Sequence, residues 1–411
     1  MNRELNVYLC GQKAGVLCED QLGNLSFQYD TNAKLPLSVR MPIRSEIYDK
    51  LYAEPFFENL TPEGDAIQLI AQKYHIPEGN TYSILEKIGG DCAGAVSLYE
   101  SSPAVNIDSP LLEINEADLA HNIDELPDNP LLLGIENAPR LSLAGTQSKF
   151  AVCKINGKYY RSDENNPTTH IIKITNKFFP NLLENELYCM KLAQKILGTI
   201  NVELREAKGR KFLEIERYDR QSKDGKILRI HQEDFCQILG VPSRRKYQHD
   251  RGPKIRDCYN AIIEYSSQAA SDAYKFIEQI MFNYLIGNTD AHAKNFSIIH
   301  KDNRIILSPA YDLLSTEIYP EKYISREIAM LINGKGKYDA VGKKDFIALY
   351  EQLELNATNT MRLIKAKFSG IVKTAENVRD ELNTNMLLKS DVYDKIIDII
   401  KSRMKKLFDA E

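Results

Sequence analysis

No apolar run in this chain approaches the roughly 18 residues a membrane-spanning helix needs, and the stretch from Met1 to Cys10 lacks a basic segment leading into an apolar signal core. Neither membrane insertion nor export is expected, so the reading is cytoplasmic. The seven cysteines (Cys10, Cys18, Cys92, Cys153, Cys189, Cys236, Cys258) include no Cys-x-x-Cys pair. An odd number scattered through hydrophobic segments argues against a disulfide scaffold and against a zinc site, leaving reduced, buried thiols as the expectation. The seven histidines are dispersed too, without the i, i+4 pairing of a helical zinc motif. Positive charge is not in excess: 53 Lys and Arg face 57 Asp and Glu, for a formal net charge of -4. No global field would draw the chain to nucleic acid or an anionic membrane, so any DNA contact must be local or supplied by a partner. Internal repeats and low-complexity tracts are absent as well.

What remains is a composition of 43% hydrophobic and 27% charged residues over 411 positions, which is that of a soluble globular protein with two or three packed units. The first thirty residues read as a strand meander: Asn6 to Cys10, Gly15 to Cys18 and Leu25 to Tyr29, with turns at Gly11 and Gly23-Asn24. From Phe56 the pattern turns helical, with Asp65 preceding Ile67, Leu69, Ile70 and Tyr74, and a second short helix follows near Tyr82 to Ile88. Residues Pro103 to Pro139 are acidic and proline-punctuated, a connector holding at most one short helix around Ala117 to Ile123. A second strand-rich block follows. Lys149 to Ile155 and Lys158 to Arg161 are joined by Asn156-Gly157, the preferred dipeptide of a two-residue type I′ hairpin. His170 to Ile174, Glu203 to Ala207 and Lys211 to Glu216 are further strands around a helix over Glu184 to Leu197. Beyond His231 the chain is mostly helical and ends in an apolar stripe of Val392, Ile396, Ile399, Ile400, Met404 and Leu407.

The densest chemistry lies between Gly287 and Asp312. Ser271 to Ile286 is an amphipathic helix stopped by Gly287. The polar loop after it carries Asp290, His292, Lys294 and Asn295, and two short apolar stretches around Lys301-Asp302-Asn303 then form a hairpin that delivers Asp312. Protein kinases place a base Asp and a metal-binding Asn five residues apart, with a second metal-binding Asp after a hairpin. A carboxylate that accepts a hydroxyl proton, together with an amide oxygen and a second carboxylate on one hard cation, is what Mg2+-assisted phosphoryl transfer requires. Taken singly, these are also ordinary turn residues.

Four other stretches carry candidate chemistry. Ser142-Leu143-Ala144-Gly145-Thr146-Gln147-Ser148-Lys149 combines small residues with a cation beside a strand, which suits phosphate oxygens but carries one glycine and is weak alone. Lys173 sits mid-strand among apolar neighbours, where it needs an anion: a nucleotide phosphate, or Glu186 as a holding partner. The bland alternative is a strand residue facing solvent. Glu216-Arg217-Tyr218-Asp219 marks the passage from sheet to helices, where a nucleotide-binding enzyme offers backbone groups and an aromatic face to adenine; it would equally suit a surface turn with a satisfied Glu-Arg pair. The basic cluster Arg244, Arg245, Lys246, His249, Arg251, Lys254 and Arg256 has two neighbouring rings, Tyr247 and Tyr259, and reads as a solvated loop.

The residues together resemble a known family, the HipA-type serine/threonine kinase toxins of bacterial toxin–antitoxin systems. The resemblance runs through Phe56 to Pro62, Gly94 to Leu98, the Ser142 to Lys149 loop, Asp234 to Gln237, Gly240 to Ser243, Gly287 to Asn295 and Tyr311-Asp312. It implies an α+β, two-lobed protein-kinase-like fold related to phosphatidylinositol kinases, with an amino-terminal α/β subdomain over residues 1–105 and a connector over 106–139. The kinase N-lobe with its nucleotide-binding loop would span 140–218 and a helical C-lobe 219–411. Asp290 resembles the catalytic base, and Asn295 and Asp312 the magnesium ligands. Ala144, Gly145, Thr146, Gln147, Ser148, Lys149, Lys173, Glu216, Arg217, Tyr218, His292, Ala293, Lys294, Asn295, Tyr311 and Asp312 would line ATP. Ser142 falls where such kinases autophosphorylate, and a phosphate there adds about -1.5 to -2 charges, enough to displace the loop by repulsion.

Some relatives carry a Ser-x-Ser pair at the loop, and some split the amino-terminal subdomain into a separate antitoxin; here the third position is Ala144 and the subdomain is fused. The implied substrate is an aminoacyl-tRNA synthetase, notably the glutamyl enzyme, and the implied partner a small, HipB-like helix-turn-helix antitoxin through which DNA is mainly reached. Two other readings share the motifs: a co-repressor scaffold on an antitoxin–DNA complex with little kinase activity, and a kinase of lipid or small metabolites.

Overall fold

A computed structural model of the chain describes residues 3–77, 79–101, 111–132, 142, 148–163, 166–175 and 179–408. The chain divides into two compact units, the first built from Met1–Ile174, Arg205–Arg244 and Ile298–Arg304, the second from Thr175–Leu204, Arg245–Ser297 and Ile305–Glu411. Residues 1–105 and most of residues 140–218 thus share one unit.

The first unit opens with the expected meander, β1 (Arg3–Leu9), β2 (Gln12–Glu19) and β3 (Leu25–Tyr29). A short strand not read from the sequence, β4 (Val96–Tyr99), pairs with the free side of β1, giving an antiparallel sheet in the order β3-β2-β1-β4. Leu5, Val7 and Leu9 alternate into a core with Phe27, Phe56, Phe57, Tyr82 and Leu85. That core is closed by α1 (Lys50–Glu58) and α3 (Thr81–Ile88), with α2 (Asp65–Tyr74) between them in sequence. Helix α1 begins six residues before the expected Phe56, capped by the Asp49 side chain, which accepts from the Leu51 N–H, and Pro55 lies inside it. The carbonyl that proline cannot bond, on Leu51, accepts instead from the Arg40 guanidinium at 3.0 Å.

A second sheet contains β5 (Glu113–Ile114), β6 (Lys149–Ile155), β7 (Lys158–Tyr160), β8 (His170–Lys173), β9 (Val202–Ala207) and β10 (Arg210–Glu216), in the order β5-β7-β6-β8-β10-β9. The Asn156-Gly157 turn has φ of 50° and 81°, as a type I′ hairpin demands, and Lys208-Gly209 repeats it at 47° and 81°. Helix α4 (Glu116–Glu125) covers this sheet through Leu119 and Ile123, which pack with Phe150, Val152, Ile172 and Phe212. The Asp224-Gly225 turn joins an unanticipated pair, β11 (Arg220–Lys223) and β12 (Lys226–Arg229). Then come β13 (His231–Asp234) and α6 (Phe235–Leu239), started by a reciprocal Asp234–Gln237 capping box.

The second unit is helical: α5 (Leu182–Ile196), α7 (Ile255–Tyr265), α8 (Ala269–Ile286), α9 (Lys343–Gln352), α10 (Ala357–Phe368), α11 (Ile371–Asn383) and α12 (Val392–Phe408). Helix α8 is buried along its whole second half, from Phe276 to Ile286, and packs against α7 and α12. On α12 the buried stripe is Val392, Ile396, Ile397, Ile400 and Leu407, while Ile399 and Met404 are half-buried. Between α8 and α9 run β14 (Ser297–Lys301) and β15 (Arg304–Leu307). They turn at Asp302-Asn303, both at positive φ, which is the expected hairpin one residue tighter. No described helix is long and apolar enough to cross a membrane.

Candidate active site

Helix α8 ends on Gly287 at φ 74°, a left-handed cap that turns the chain sharply out of the core. The next residues fold on themselves. Asn288 Oδ1 accepts from the Asp290 N–H at 3.1 Å, while the Asp290 carbonyl accepts from the His292 N–H at 2.8 Å and from the Asn295 side-chain amide at 3.2 Å. A short 3-10 turn over Ala293–Asn295 completes the loop. The five-residue spacing therefore brings Asp290 and Asn295 together. Ala291, His292, Ala293 and Lys294 are buried, whereas Asp290 and Asn295 are half-exposed, so the two oxygen-bearing groups are the reachable part of the loop. The amide NH2 of Asn295 is committed to Asp290, which leaves its oxygen, the atom a hard cation binds.

The β14–β15 hairpin brings the chain back. The Tyr311 hydroxyl donates to the Lys294 carbonyl at 2.7 Å and lies 2.7 Å from Ser297 Oγ, so its single proton goes to Lys294 and Ser297 donates to it. Tyr311 is thereby held against the Asp290–Asn295 loop, and Asp312 follows it in sequence. Its φ is +56°, a left-handed conformation that non-glycine residues adopt at a cost and that clusters at functional sites. A carboxamide oxygen and a carboxylate are a donor set that fits Mg2+.

One further side chain reaches this site, and nothing in the sequence pointed to it: the Tyr247 hydroxyl donates to Asp290 Oδ1 at 2.8 Å. The Tyr247 ring stacks on His249 at 5.3 Å and meets His292 edge-on at 5.2 Å. Tyr247 lies in the basic stretch that reads as a solvated loop, where Lys246 is buried as well. Its partner stands 43 positions away in sequence, and no spacing rule links them.

The remaining expected site residues belong to the first unit. Lys173 is buried at 6% exposure on the strand between β6 and β10, opposite Lys149 and Leu213, so the solvent-facing alternative does not hold. Glu216 is exposed, and Tyr218 donates to the Gln232 side chain. The Arg217 side chain points elsewhere. Its guanidinium bonds Asp219 at 2.9 and 2.7 Å, Thr168 at 2.8 Å and the Cys92 carbonyl at 3.1 Å, so the satisfied pair is Arg217–Asp219, not Glu216–Arg217. Arg220 and Arg229 join the same buried cluster through Asp91, at 2.8 and 3.2 Å. These arginines hold the Asp91 and Asp219 carboxyls below the usual carboxylate range, against burial, which raises them.

Ser142 is fully buried: its hydroxyl donates to the Leu60 carbonyl at 2.6 Å and its N–H to the Asp91 carbonyl at 3.1 Å. Ala144, Gly145, Thr146 and Gln147 lie outside the described residues. Ser148 accepts from the Ile174 N–H at 3.4 Å, and Lys149 opens β6.

Comparison with known proteins places the chain. Residues 5–99 match the HipA N-terminal domain and residues 141–381 the HipA-like C-terminal domain. A kinase-named protein of Sinorhizobium fredii, Y4mE, is 39% identical over 84% of this chain and 85% of its own length. The serine/threonine-protein kinase toxin HipA of Shewanella oneidensis is 29% identical over 68% of this chain and 66% of that protein. The solved Shewanella oneidensis structure of HipA with HipB and operator DNA superposes with a TM-score of 0.86 at 23% identity, covering 98% of this chain and 97% of that one, so the α+β, two-lobed kinase-like fold is shared. With both domains matched in order, the chain belongs to the HipA family.

Proposed function

We propose that the protein is a serine/threonine protein kinase that uses ATP and Mg2+ and acts as a toxin, phosphorylating an aminoacyl-tRNA synthetase, foremost the glutamyl enzyme, to stop translation. Asp290 accepts the proton of the attacking hydroxyl, Asn295 and Asp312 hold the cation, and Lys173 engages the nucleotide phosphates. Bound Mg2+ supplies neutralisation of charge on the phosphates. The observation that carries this reading is the Tyr311–Lys294 hydrogen bond, which ties the segment after β15, where Asp312 follows Tyr311, to the loop bearing Asp290 and Asn295.

Ser142 is the proposed autophosphorylation site. Its hydroxyl has no exposure, so a phosphate there requires the segment to leave its place under Leu60, which would inactivate the enzyme. A small helix-turn-helix antitoxin is the proposed partner, with DNA reached mainly through it and the whole system cytoplasmic. The Shewanella HipA solved with HipB and operator DNA supports this part.

The test is incubation of the purified protein with labelled ATP, Mg2+ and a panel of aminoacyl-tRNA synthetases, beside Asp290→Asn. Label should enter one synthetase and the chain itself, and disappear in the variant without loss of melting temperature. Equal labelling by the variant would remove Asp290 as the base. No transfer to any protein, with antitoxin and operator still bound, would favour the co-repressor scaffold, and a labelled small product the metabolite or lipid kinase.

A further inference from the structure

His231 and Glu233 stand two residues apart on β13, so their side chains leave the same face of the strand. His300 comes from β14. Donor atoms of the three lie within 4.8 Å of one another, and the two imidazole rings are 4.9 Å apart. Among the described residues, no other three His, Cys, Asp or Glu side chains converge in this way.

The hydrogen bonds around the three leave particular atoms unused. His231 Nε2 lies 2.9 Å from the Leu37 carbonyl, which can only accept, so Nε2 carries the proton and Nδ1 is a bare lone pair. Glu233 Oε1 accepts from the Val39 N–H at 3.1 Å and faces His300 Nε2 at 2.9 Å. The Ser38 side chain is a further hydrogen-bonding neighbour of this carboxylate. His231 Nδ1 and Glu233 Oε2 are both buried and have no hydrogen-bond partner. His231 is 3% exposed and Glu233 not at all. Two buried acceptors without donors are a destabilising arrangement unless an electron-poor species fills the space between them. An imidazole that gives its N–H to a backbone carbonyl and keeps its other nitrogen bare is oriented as a metal-ligating histidine is.

We propose that His231, Glu233 and His300 bind a divalent transition-metal cation, zinc being the simplest occupant. Two imidazoles and one carboxylate suit such ions better than Mg2+ or Ca2+, which prefer oxygen alone. Around tetrahedral zinc, with bonds of about 2.0–2.2 Å, donors stand roughly 3.4 Å apart, so small side-chain rotations close the site, and water takes the remaining position. Coordination uses the His300 Nε2 lone pair, whose proton passes to Nδ1 or to solvent. The His300 side chain is 20% exposed, which provides the entry path. The bound cation staples β13 and β14 to the Leu37–Val39 segment that orients the ligands, and it is independent of the kinase reading.

Zinc content of the untagged full chain, dialysed against Zn2+ and then buffer, tests this. One zinc per chain is expected, with a raised melting temperature. His300→Gln, the least buried substitution, should weaken binding about tenfold or more, and Glu233→Gln likewise. Cobalt substitution in the unaltered protein is the second measurement: a tetrahedral visible band without a thiolate charge-transfer band is expected. Absence of stoichiometric zinc, retention of full affinity in a folded His300→Gln chain, or a thiolate band assigning the metal to the seven free cysteines would each overturn the site.

Discussion

The Tyr247 hydroxyl stands 2.8 Å from Asp290 Oδ1, the place that the substrate hydroxyl would take under the proposed kinase function. On that proposal the phenol competes with the substrate for this oxygen. Tyr247→Phe keeps the ring contacts with His249 and His292 and removes this competitor, so kcat/KM should rise, by up to about tenfold for one hydrogen bond to a charged group. Steady-state kinetics with the protein substrate would read this. A slower variant would mean that the phenol positions Asp290 instead of blocking it.

Tyr311→Phe removes the bonds to Lys294 and Ser297 together. Stability should fall by about 1 kcal/mol, whereas kcat should fall by roughly tenfold to a hundredfold as Asp312 loses its anchor. The split between urea midpoint and kcat is the check; equal losses in both would make the residue merely structural.

Asp91→Asn leaves Arg220 and Arg229 buried beside a neutral group, at a cost of about 3–5 kcal/mol by urea denaturation. The pH dependence has a definite sign. Asp91 and Asp219 are depressed in the folded state, so their contribution is complete above the unfolded carboxylate value of about 3.9 and is lost as pH falls below it. The stability gap between wild type and Asp91→Asn should therefore narrow below about pH 4. A gap unchanged at pH 3 would contradict the assignment.

Ser142→Asp places a charge where exposure is zero and a carbonyl already faces the side chain. The segment should leave Leu60, with protease cleavage near it accelerated and transfer activity lost, while Ser142→Ala costs only about 1 kcal/mol and keeps activity. Equal protection of the two variants from protease would show that a charge is accommodated in place.

Much of the local structure was legible. The Asn156-Gly157 turn, the Gly287 helix stop and the Asp302-Asn303 hairpin follow from residues that tolerate positive φ, and the meander β1–β3 follows from alternation with turn residues between. Where the reading fell short, the partner was distant. Strand β4 exists because β1 has a free edge, Pro55 is tolerated in α1 because Arg40 supplies the missing donor, and Arg217 turns inward because Asp219, Thr168 and Cys92 are there to meet it.

By itself, then, the order of residues determined most of the elements, their turns and the five-residue pairing of Asp290 with Asn295, because these depend on backbone preferences and on bonds spanning a few positions. Tertiary structure alone decided that Tyr247 sits on Asp290, that Ser142 is sealed beneath Leu60, and that His300 meets His231 and Glu233 across 67 residues of chain. Contacts between groups so far apart in sequence arise only when packing closes the intervening loop, and that closure leaves no local signature.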